Sequence, residues 1–185
     1  MRANFSRRGV RGLLGAALAL GPARAGSAHD FRFPALEGVE IRLADFAGRA
    51  VLVVNTASLC GFTGQYAGLQ ALADRYAGGL VVVGVPSDDF HQELGSAGAV
   101  REFCDVNFAI TFPLTDILPV TGEGAHPFYR WAAEAGGAGA VPRWNFHKLL
   151  IGPDGWLAAS FPTATAPLDP ALGSAIEALL PGWAG

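Results

Sequence analysis

The distribution of apolar residues in the first half of the chain predicts alternating strands and helices. Two near-continuous apolar runs, residues 50–57 and 80–85, are typical of strands buried on both faces. Between them, residues 64–78 carry apolar side chains at spacings of three and four, which is the pattern of an amphipathic helix. A strand, a helix and a second strand in this order predict a parallel βαβ unit with a right-handed crossover.

Further helices are predicted in the second half of the chain. Val100, Phe103 and Cys104 share one face of a helix that begins near residue 97. Pro127 suits the first turn of another helix, and Asp169 followed by proline marks the start of a last one.

Two hairpins complete the predicted fold. Residues 144–151 and 156–161 flank the turn sequence Gly-Pro-Asp-Gly at 152–155, and a shorter hairpin is predicted over 31–41 with Gly38 at its turn. The second-half hairpin would close the sheet in an antiparallel manner. The pattern therefore predicts an α/β protein of thioredoxin type, in which helices flank a central mixed sheet that is preceded by an N-terminal hairpin.

The first 25 residues have the layout of an export signal. Four arginines lie within the first eleven residues, a short apolar stretch spans 13–20, and Ala23-Arg24-Ala25 has the small-x-small form of a cleavage site. Residues 6–8, Ser-Arg-Arg, resemble the twin-arginine variant, so both export routes stay open, as does an uncleaved N-terminus. We therefore predict an exported protein, in a bacterium a periplasmic one, whose single domain spans 26–185.

The length and the net charge of the chain disfavour some classes of function. A chain of 185 residues that is 51% apolar is long enough for one domain with a substantial core. Removal of residues 1–25 takes away five arginines and no acid, which leaves 8 basic against 16 acidic residues. A domain of net charge −8 should repel phosphate backbones, so nucleic-acid binding is disfavoured. No apolar run reaches the roughly 18 residues of a membrane-spanning helix.

Cys60 is the first candidate for chemistry, because it follows the first buried strand and precedes the first helix. In open α/β sheets the functional crevice lies beyond the carboxyl ends of the strands. Unpaired amide groups at the start of a helix stabilise an anion, so a thiol here is expected to react as a thiolate. The alternative is an inert cysteine of the core, since free cysteine is among the most buried residue types.

Cys104 lies 44 positions later, on the apolar face of a predicted helix. It is open to three interpretations: a core residue, a structural disulfide with Cys60, or a resolving cysteine that condenses with oxidised Cys60. If the two sulfurs lie far apart, the third interpretation requires local unfolding of the helix.

Gln92, Trp144 and Asn145 are further candidates because they carry fixed, uncharged hydrogen-bond donors. Such donors can hold a thiolate or the leaving oxygen of a peroxide without adding a competing charge. Taken singly, each also suits a structural role: surface for Gln92, core for Trp144 and a turn for Asn145. Adjacent residues of a regular strand point to opposite faces, so Trp144 and Asn145 can share a site only if the strand starts or bends there.

Five motifs occur in the order that the glutathione peroxidase family has them, and together they resemble that family over residues 30–181. They are Asn-Thr-Ala-Ser-Leu-Cys-Gly-Phe-Thr-Gly-Gln-Tyr at 55–66, Phe-His-Gln-Glu at 90–93, the span from Phe103-Cys104 to Phe112-Pro113, Ala-His-Pro at 125–127, and Trp-Asn-Phe-His-Lys at 144–148.

The resemblance implies a thioredoxin-like fold and a peroxidase that reduces hydrogen peroxide or organic hydroperoxides. It assigns catalytic roles to Cys60, Gln92, Trp144 and Asn145, and places Cys104 at the resolving position of members that use two cysteines. Such members hold no bound cofactor and are recycled by a thioredoxin-like dithiol, with glutathione as the other donor used in the family. The chain lacks the insertion that tetrameric members use for assembly, which implies a monomer.

The sequence departs from the family pattern in front of Gln92. Where the family has Phe-Pro-Cys-Asn-Gln-Phe-Gly, this chain has Val-Pro-Ser-Asp-Asp-Phe at 85–90 and one residue fewer before Gln92. Asp88 and Asp89 thus replace two amides, and a carboxylate near a thiolate opposes its ionisation. The departure bears on both the register of Gln92 and the reactivity of Cys60.

Three other functions compete with a peroxidase. A thiol–disulfide oxidoreductase is disfavoured because Cys60 is not part of a C-x-x-C motif. A metal- or ligand-binding module would combine Cys60 with a histidine, but His91, His126 and His147 are scattered. A redox-silent family member is the third, with the two aspartates as its indication.

Overall fold

The computed structural model describes residues 26–38 and 40–180. The export signal predicted over 1–25 lies outside these residues and stays a prediction. Near the start of the described chain, β1 (Arg32–Pro34) and β2 (Glu40–Arg42) pair in antiparallel fashion with Phe33 opposite Ile41. Gly38 has a positive φ of 77°, which a residue without a side chain adopts readily. The predicted N-terminal hairpin with its turn at Gly38 is therefore present.

A four-stranded mixed sheet forms the centre of the molecule. Its strands are β3 (Ala50–Thr56), β4 (Leu80–Pro86), β5 (Lys148–Ile151) and β6 (Leu157–Phe161), in the spatial order β4-β3-β5-β6. β3 and β4 are parallel, whereas β5 is antiparallel to both β3 and β6. Every residue of β3 and β4 is buried, as the two apolar runs predicted.

Helices cover both faces of this sheet. They are α1 (Gln65–Arg75), α2 (Ala97–Phe108), α3 (Pro127–Gly136) and α4 (Pro170–Glu177). Alternate residues of β3 point to opposite faces: Leu52 packs in a cluster with apolar residues of α1, α2 and α4, whereas Val53 packs in a second cluster with α3 and the N-terminal hairpin. The result is a three-layer sandwich with β3 at its centre, and the carboxyl end of β3 leads directly into the candidate site.

The helix starts follow local sequence signals. Asp169 caps α4 by accepting a hydrogen bond from the amide of Ala171 at 2.8 Å, and Pro170 occupies the first turn. Pro127 likewise occupies the first turn of α3. None of the helices in the described ranges is long and apolar enough to cross a membrane.

The second-half hairpin is shorter than the sequence pattern predicted. β5 begins at Lys148, and residues 144–147 form a turn instead of the start of the strand. Phe146 there has a φ of 63°, a left-handed conformation that interrupts extended pairing. The pattern predicted a longer strand because it counted Phe146 and Trp144, whereas Phe146 is buried in a turn and Trp144 is 40% exposed.

Candidate active site

Cys60 lies in the connection between the carboxyl end of β3 and the start of α1. It is only 4% exposed, whereas its neighbours Leu59 and Phe62 are 62% and 42% exposed. The Cys60 Sγ accepts a hydrogen bond from the amide of Phe62 at 3.5 Å, so one backbone donor is already directed at the sulfur. Helix α1 begins at Gln65, one turn beyond the cysteine, and a run of turns fills the interval.

The segment that carries Gln92 is joined to the cysteine loop through the backbone. The amide of Leu59 donates to the carbonyl oxygen of Gln92 at 2.8 Å. One residue further on, a carboxylate oxygen of Glu93 accepts from the amide of Ser58 at 2.9 Å. These two hydrogen bonds fix residues 92–93 against the loop immediately before Cys60.

The side chains of Gln92 and Asn145 meet directly. Asn145 Nδ2 donates to Gln92 Oε1 at 3.0 Å, and Asn145 is fully buried. The missing residue before Gln92 is accommodated by a tight turn, in which the amide of His91 donates to the carbonyl of Asp88 at 2.8 Å and His91 has a φ of 55°. The shortened sequence therefore still brings Gln92 to Asn145.

Trp144 is placed at the same site by the turn in front of β5. Because the strand starts only at Lys148, the alternation that would send Trp144 and Asn145 to opposite faces does not apply. The indole is 40% exposed and its ring centroid lies 5.4 Å from that of Phe90, two residues before Gln92. Leu59 and Phe62 on the cysteine loop, and Trp144 on the turn before β5, are exposed apolar side chains, and we call these three residues the rim of the site.

Cys104 lies in the same cluster of buried apolar residues as Cys60. It is fully buried on the inner face of α2, and both cysteines are free thiols. Burial raises the pKa of the Cys104 thiol to about 11, an effect that the nearby Tyr66 hydroxyl only partly offsets. The Tyr66 hydroxyl oxygen, although near Cys104 and Thr56, has no well-formed hydrogen bond with any residue that the structure describes. In this conformation Cys104 is a poor nucleophile.

The sequence profile described as glutathione peroxidase matches residues 28–133, more than half of the chain. The chain belongs to the glutathione peroxidase family. It is 37% identical over 162 residues to hydroperoxy fatty acid reductase gpx1 of a Synechocystis strain, which covers 82% of this chain and 95% of that protein.

Comparison with solved structures agrees with the assignment of the chain to this family. The crystal structure of Trgpx in apo form has 32% sequence identity and a TM-score of 0.66, covering 84% of this chain and 97% of that one. A thiol:disulfide interchange protein of the thioredoxin family from Chlorobium tepidum has a TM-score of 0.64 at 15% identity, over 86% of this chain and 99% of that one. The latter shows only a shared fold. The predicted family, thioredoxin-like fold and peroxidase class are confirmed.

Asn55, at the end of β3, holds the Trp144 turn of the peroxidase in place. Its Nδ2 donates to the carbonyl oxygen of Trp144 and its Oδ1 accepts from the amide of His147, both at 3.1 Å. The carbonyl of Asn55 also accepts from the amide of Phe146 at 2.6 Å. Sequence reasoning did not assign Asn55 a role, although a fully buried amide at the end of an apolar strand is a signal of such a clamp.

Lys148 supports the same turn from within the core. Its fully buried Nζ donates to the carbonyl of Phe146 and to Oε1 of Gln65, both at 2.7 Å. Burial lowers the pKa of Lys148 to about 8. His147 is almost as buried, and burial together with the neighbouring Lys148 charge lowers its pKa to about 4, so its imidazole is neutral at physiological pH.

Glu93 was also missed as a contributor to the site. One carboxylate oxygen accepts from the amides of Ser58 and Leu94, while the other is buried and, within residues 26–38 and 40–180, makes no well-formed hydrogen bond. Burial raises the pKa of Glu93 above its ordinary value, although the Ser58 hydroxyl and the amides of Leu94 and Ser58 lower it. The peroxidase therefore retains an incompletely satisfied carboxyl group beside the cysteine loop.

The two aspartates that distinguish this chain serve as loop anchors. Asp88 accepts from the amide of Glu93 at 3.2 Å. Asp89 Oδ2 accepts from the amides of Val120 and Thr121, each at 2.7 Å, and from the Thr121 hydroxyl at 2.9 Å. These donors compensate the carboxylate of Asp89 and tie the Gln92 segment to residues 120–121. Within residues 26–38 and 40–180, no cluster of three or more His, Cys, Asp or Glu side chains is arranged to hold a metal ion.

Replacing Asn55 tests its role as a clamp. Asn55→Ala leaves the Trp144 carbonyl and the His147 amide without their partner, so we expect it to lower the free energy of unfolding by about 2–4 kcal/mol. Urea unfolding followed by fluorescence measures this. Asn107→Ala is the control, because that exposed amide donates to a carbonyl of its own helix, and it should cost less than about 0.5 kcal/mol. Equal effects of the two variants would contradict the clamp.

Glu93→Gln tests the cost of the buried carboxyl. Because the pKa of Glu93 is raised in the folded state, its contribution to stability is fully present below the ordinary value of 4.5 and is lost as the pH rises through the folded value. The glutamine keeps an acceptor for Ser58 and Leu94 but carries no charge. In urea unfolding between pH 4 and 8, the free energy of unfolding of the variant should rise relative to that of the parent protein as the pH increases. If the two free energies change in parallel with pH, the Glu93 carboxyl group is not the cause.

Proposed function

We propose that the protein is a thiol peroxidase in which Cys60 is the nucleophile. The thiolate attacks one oxygen of the hydroperoxide, the O–O bond breaks, and a proton completes the leaving water or alcohol. Cys60 becomes a sulfenic acid. The observation that carries the proposal is the Gln92–Asn145 hydrogen bond, together with the backbone hydrogen bond that holds Gln92 against the cysteine loop.

The two amides supply oriented, uncharged donors in the proposed reaction. Gln92 uses its Oε1 to accept from Asn145, so its Nε2 group is set in orientation and is left to donate. A donor that is fixed before the reaction stabilises the negative charge that develops on sulfur or on the leaving oxygen. The indole N–H of Trp144 is the third donor in this proposal.

Cys104 is the proposed resolving residue. Its thiol condenses with the sulfenic acid of Cys60, forming a disulfide and releasing water. Because Cys104 is fully buried and its thiol pKa is about 11, α2 must open locally before this step. An external dithiol then reduces the disulfide and is itself oxidised.

A protein dithiol of thioredoxin type suits the surface around Cys60. The exposed rim of Leu59, Phe62 and Trp144 is apolar, and exposed apolar groups of this kind favour contact with a complementary protein surface. Glutathione is the competing donor. Neither donor is a bound cofactor in this cycle, and the monomeric state stays a prediction.

The substrates we propose are hydrogen peroxide and organic hydroperoxides. The name of the Synechocystis relative, a hydroperoxy fatty acid reductase, supports the inclusion of hydroperoxides with long apolar chains. We propose that the reaction takes place after export, on the basis of the layout of residues 1–25. N-terminal sequencing of the protein recovered from cell fractions tests this; a mature chain that begins at Gly26 outside the cytoplasm supports it, and an intact cytoplasmic chain refutes it.

Replacing Cys60 tests the peroxidase directly. Cys60→Ser should reduce hydroperoxide consumption to the uncatalysed rate, because the hydroxyl is a far weaker nucleophile. Gln92→Ala should lower the second-order rate constant of the first oxidation by about a hundredfold, since it removes a fixed donor. Stopped-flow fluorescence measures both. Undiminished consumption by Cys60→Ser would exclude the mechanism, and a parent protein inert towards all peroxides would favour the redox-silent alternative.

The fate of Cys104 is tested with one equivalent of peroxide. We expect mass spectrometry to find a Cys60–Cys104 disulfide in the parent protein and a trapped sulfenic acid at Cys60 in Cys104→Ser. Turnover with thioredoxin and with glutathione, measured side by side, identifies the donor, and Cys104→Ser should lose the thioredoxin-dependent rate. A stable sulfenic acid in the parent protein would make Cys104 a core residue only.

A further inference from the structure

Helix α2, which carries Cys104, packs against the aromatic ring of Tyr66 in the first turn of α1. The centroid of this ring lies 5.2 Å from that of Phe108 and 6.4 Å from that of Phe103, both on α2, and 5.2 Å from that of Phe146. The Tyr66 side chain is fully buried. Contacts between aromatic rings therefore help to hold α2 against α1.

The hydroxyl group of Tyr66 is buried beside α2 without a good hydrogen bond. It lies near Thr56, Glu93 and the Cys104 thiol, side chains that are at most 8% exposed. Among the residues that the structure describes, none gives a well-formed hydrogen bond to the Tyr66 hydroxyl, to Thr56 Oγ1 or to Glu93 Oε2. A polar atom that is buried without a partner costs free energy, and contact with water when α2 opens would remove that cost.

The C-terminal end of α2 has a second unfavourable feature, in its backbone. Ala109, which follows the last residue of the helix, has a φ of 48° and a ψ of 47°. This left-handed conformation is easy for glycine and unfavourable for a residue with a Cβ atom. The amide of Ala109 donates to the carbonyl of Asp105 at 3.1 Å, and the next amide, of Ile110, donates to that of Cys104 at 3.5 Å. The strained residue thus ends the helical turn that begins at Cys104, and its side chain is exposed.

We propose that Tyr66 and Ala109 lower the free energy needed to open α2, and thereby set the rate at which Cys104 reaches oxidised Cys60. Both features raise the free energy of the closed helix alone, because opening hydrates the Tyr66 hydroxyl and releases the Ala109 backbone to an ordinary conformation. The two are positioning residues of the resolving step, on which they act through α2. The inference rests on the proposed role of Cys104, and it assigns a purpose to a hydroxyl and a backbone conformation that the proposed chemistry does not use.

Hydrogen exchange in the reduced, full-length protein measures the opening of α2 without turnover. Tyr66→Phe keeps the ring and removes the hydroxyl, so the amides of α2 should exchange at least about fivefold more slowly. Ala109→Gly should slow them about fourfold, although glycine in place of alanine ordinarily destabilises a helix. Tyr129→Phe is the matched control. It also removes a buried hydroxyl that has no well-formed hydrogen bond with a described residue, but from α3 on the opposite face of the sheet, and should leave α2 exchange unchanged.

The reaction with one equivalent of hydrogen peroxide connects this opening to the chemistry. In Tyr66→Phe and Ala109→Gly, the first oxidation of Cys60 should keep its rate, whereas the Cys60–Cys104 disulfide should form more slowly by the factor found in exchange, because the rate follows the open fraction. Alkylation at timed intervals and mass spectrometry give both rates.

The outcomes separate this inference from the function on which it rests. Exchange of α2 that is unchanged or faster in the two variants, or slower exchange with an unchanged rate of disulfide formation, overturns the inference while peroxide turnover upholds the proposed function. If α2 exchange slows as expected but the parent protein never forms the disulfide, the resolving role of Cys104 is overturned instead.

Discussion

The arrangement of the site depends on the hydrogen bonds of one buried amide. Asn55 ends the central strand and uses both ends of its side chain, and its carbonyl, to hold residues 144–147 in a turn. That turn carries Trp144 and Asn145, and Asn145 in turn orients Gln92. A buried amide can form its hydrogen bonds only with groups at fixed positions. The clamp therefore holds Trp144 and Asn145 in fixed positions relative to the sheet, and Asn145 does the same for Gln92.

Charged side chains around the site also hold its segments in place. Lys148 reaches the turn from the core, Glu93 joins the Gln92 segment to the cysteine loop, and the half-buried Asp89 anchors that segment to residues 120–121. Lys148 and Glu93 are costly to bury, and all three side chains form hydrogen bonds with backbone donors or acceptors. The proposed donors Gln92, Trp144 and Asn145 can thus be uncharged, because neighbouring charged side chains hold their segments in place.

Much of the fold could be predicted from the periodicity of apolar residues, but less of the site could be predicted in this way. The strands β3 and β4 and the start of α4 were predicted correctly because their signals are local: apolar runs for the strands, and Asp169 followed by Pro170 for the helix. The strand expected at residue 144 was wrong, because only the contact with Asn55, some 90 positions away, forces a turn there. Cys60, Gln92 and Asn145 were proposed as site residues from the sequence, whereas Glu93 and Asn55 were not, because their roles lie in tertiary hydrogen bonds. The single-residue deletion before Gln92 is compensated by His91 in a left-handed turn, which no pattern of apolar residues reveals.

Because Cys104 is buried, the free energy of opening α2 also affects how readily Cys60 is over-oxidised in the proposed cycle. In the proposed cycle, the sulfenic acid on Cys60 waits until α2 exposes its partner, and during that interval a second peroxide can convert it to a sulfinic acid that dithiols do not reverse. A tightly packed α2 prolongs the wait, and a loosely packed one shortens it at the expense of the core around Val100 and Cys104. In this cycle the packing of α2 therefore sets how much peroxide the protein tolerates before Cys60 is over-oxidised.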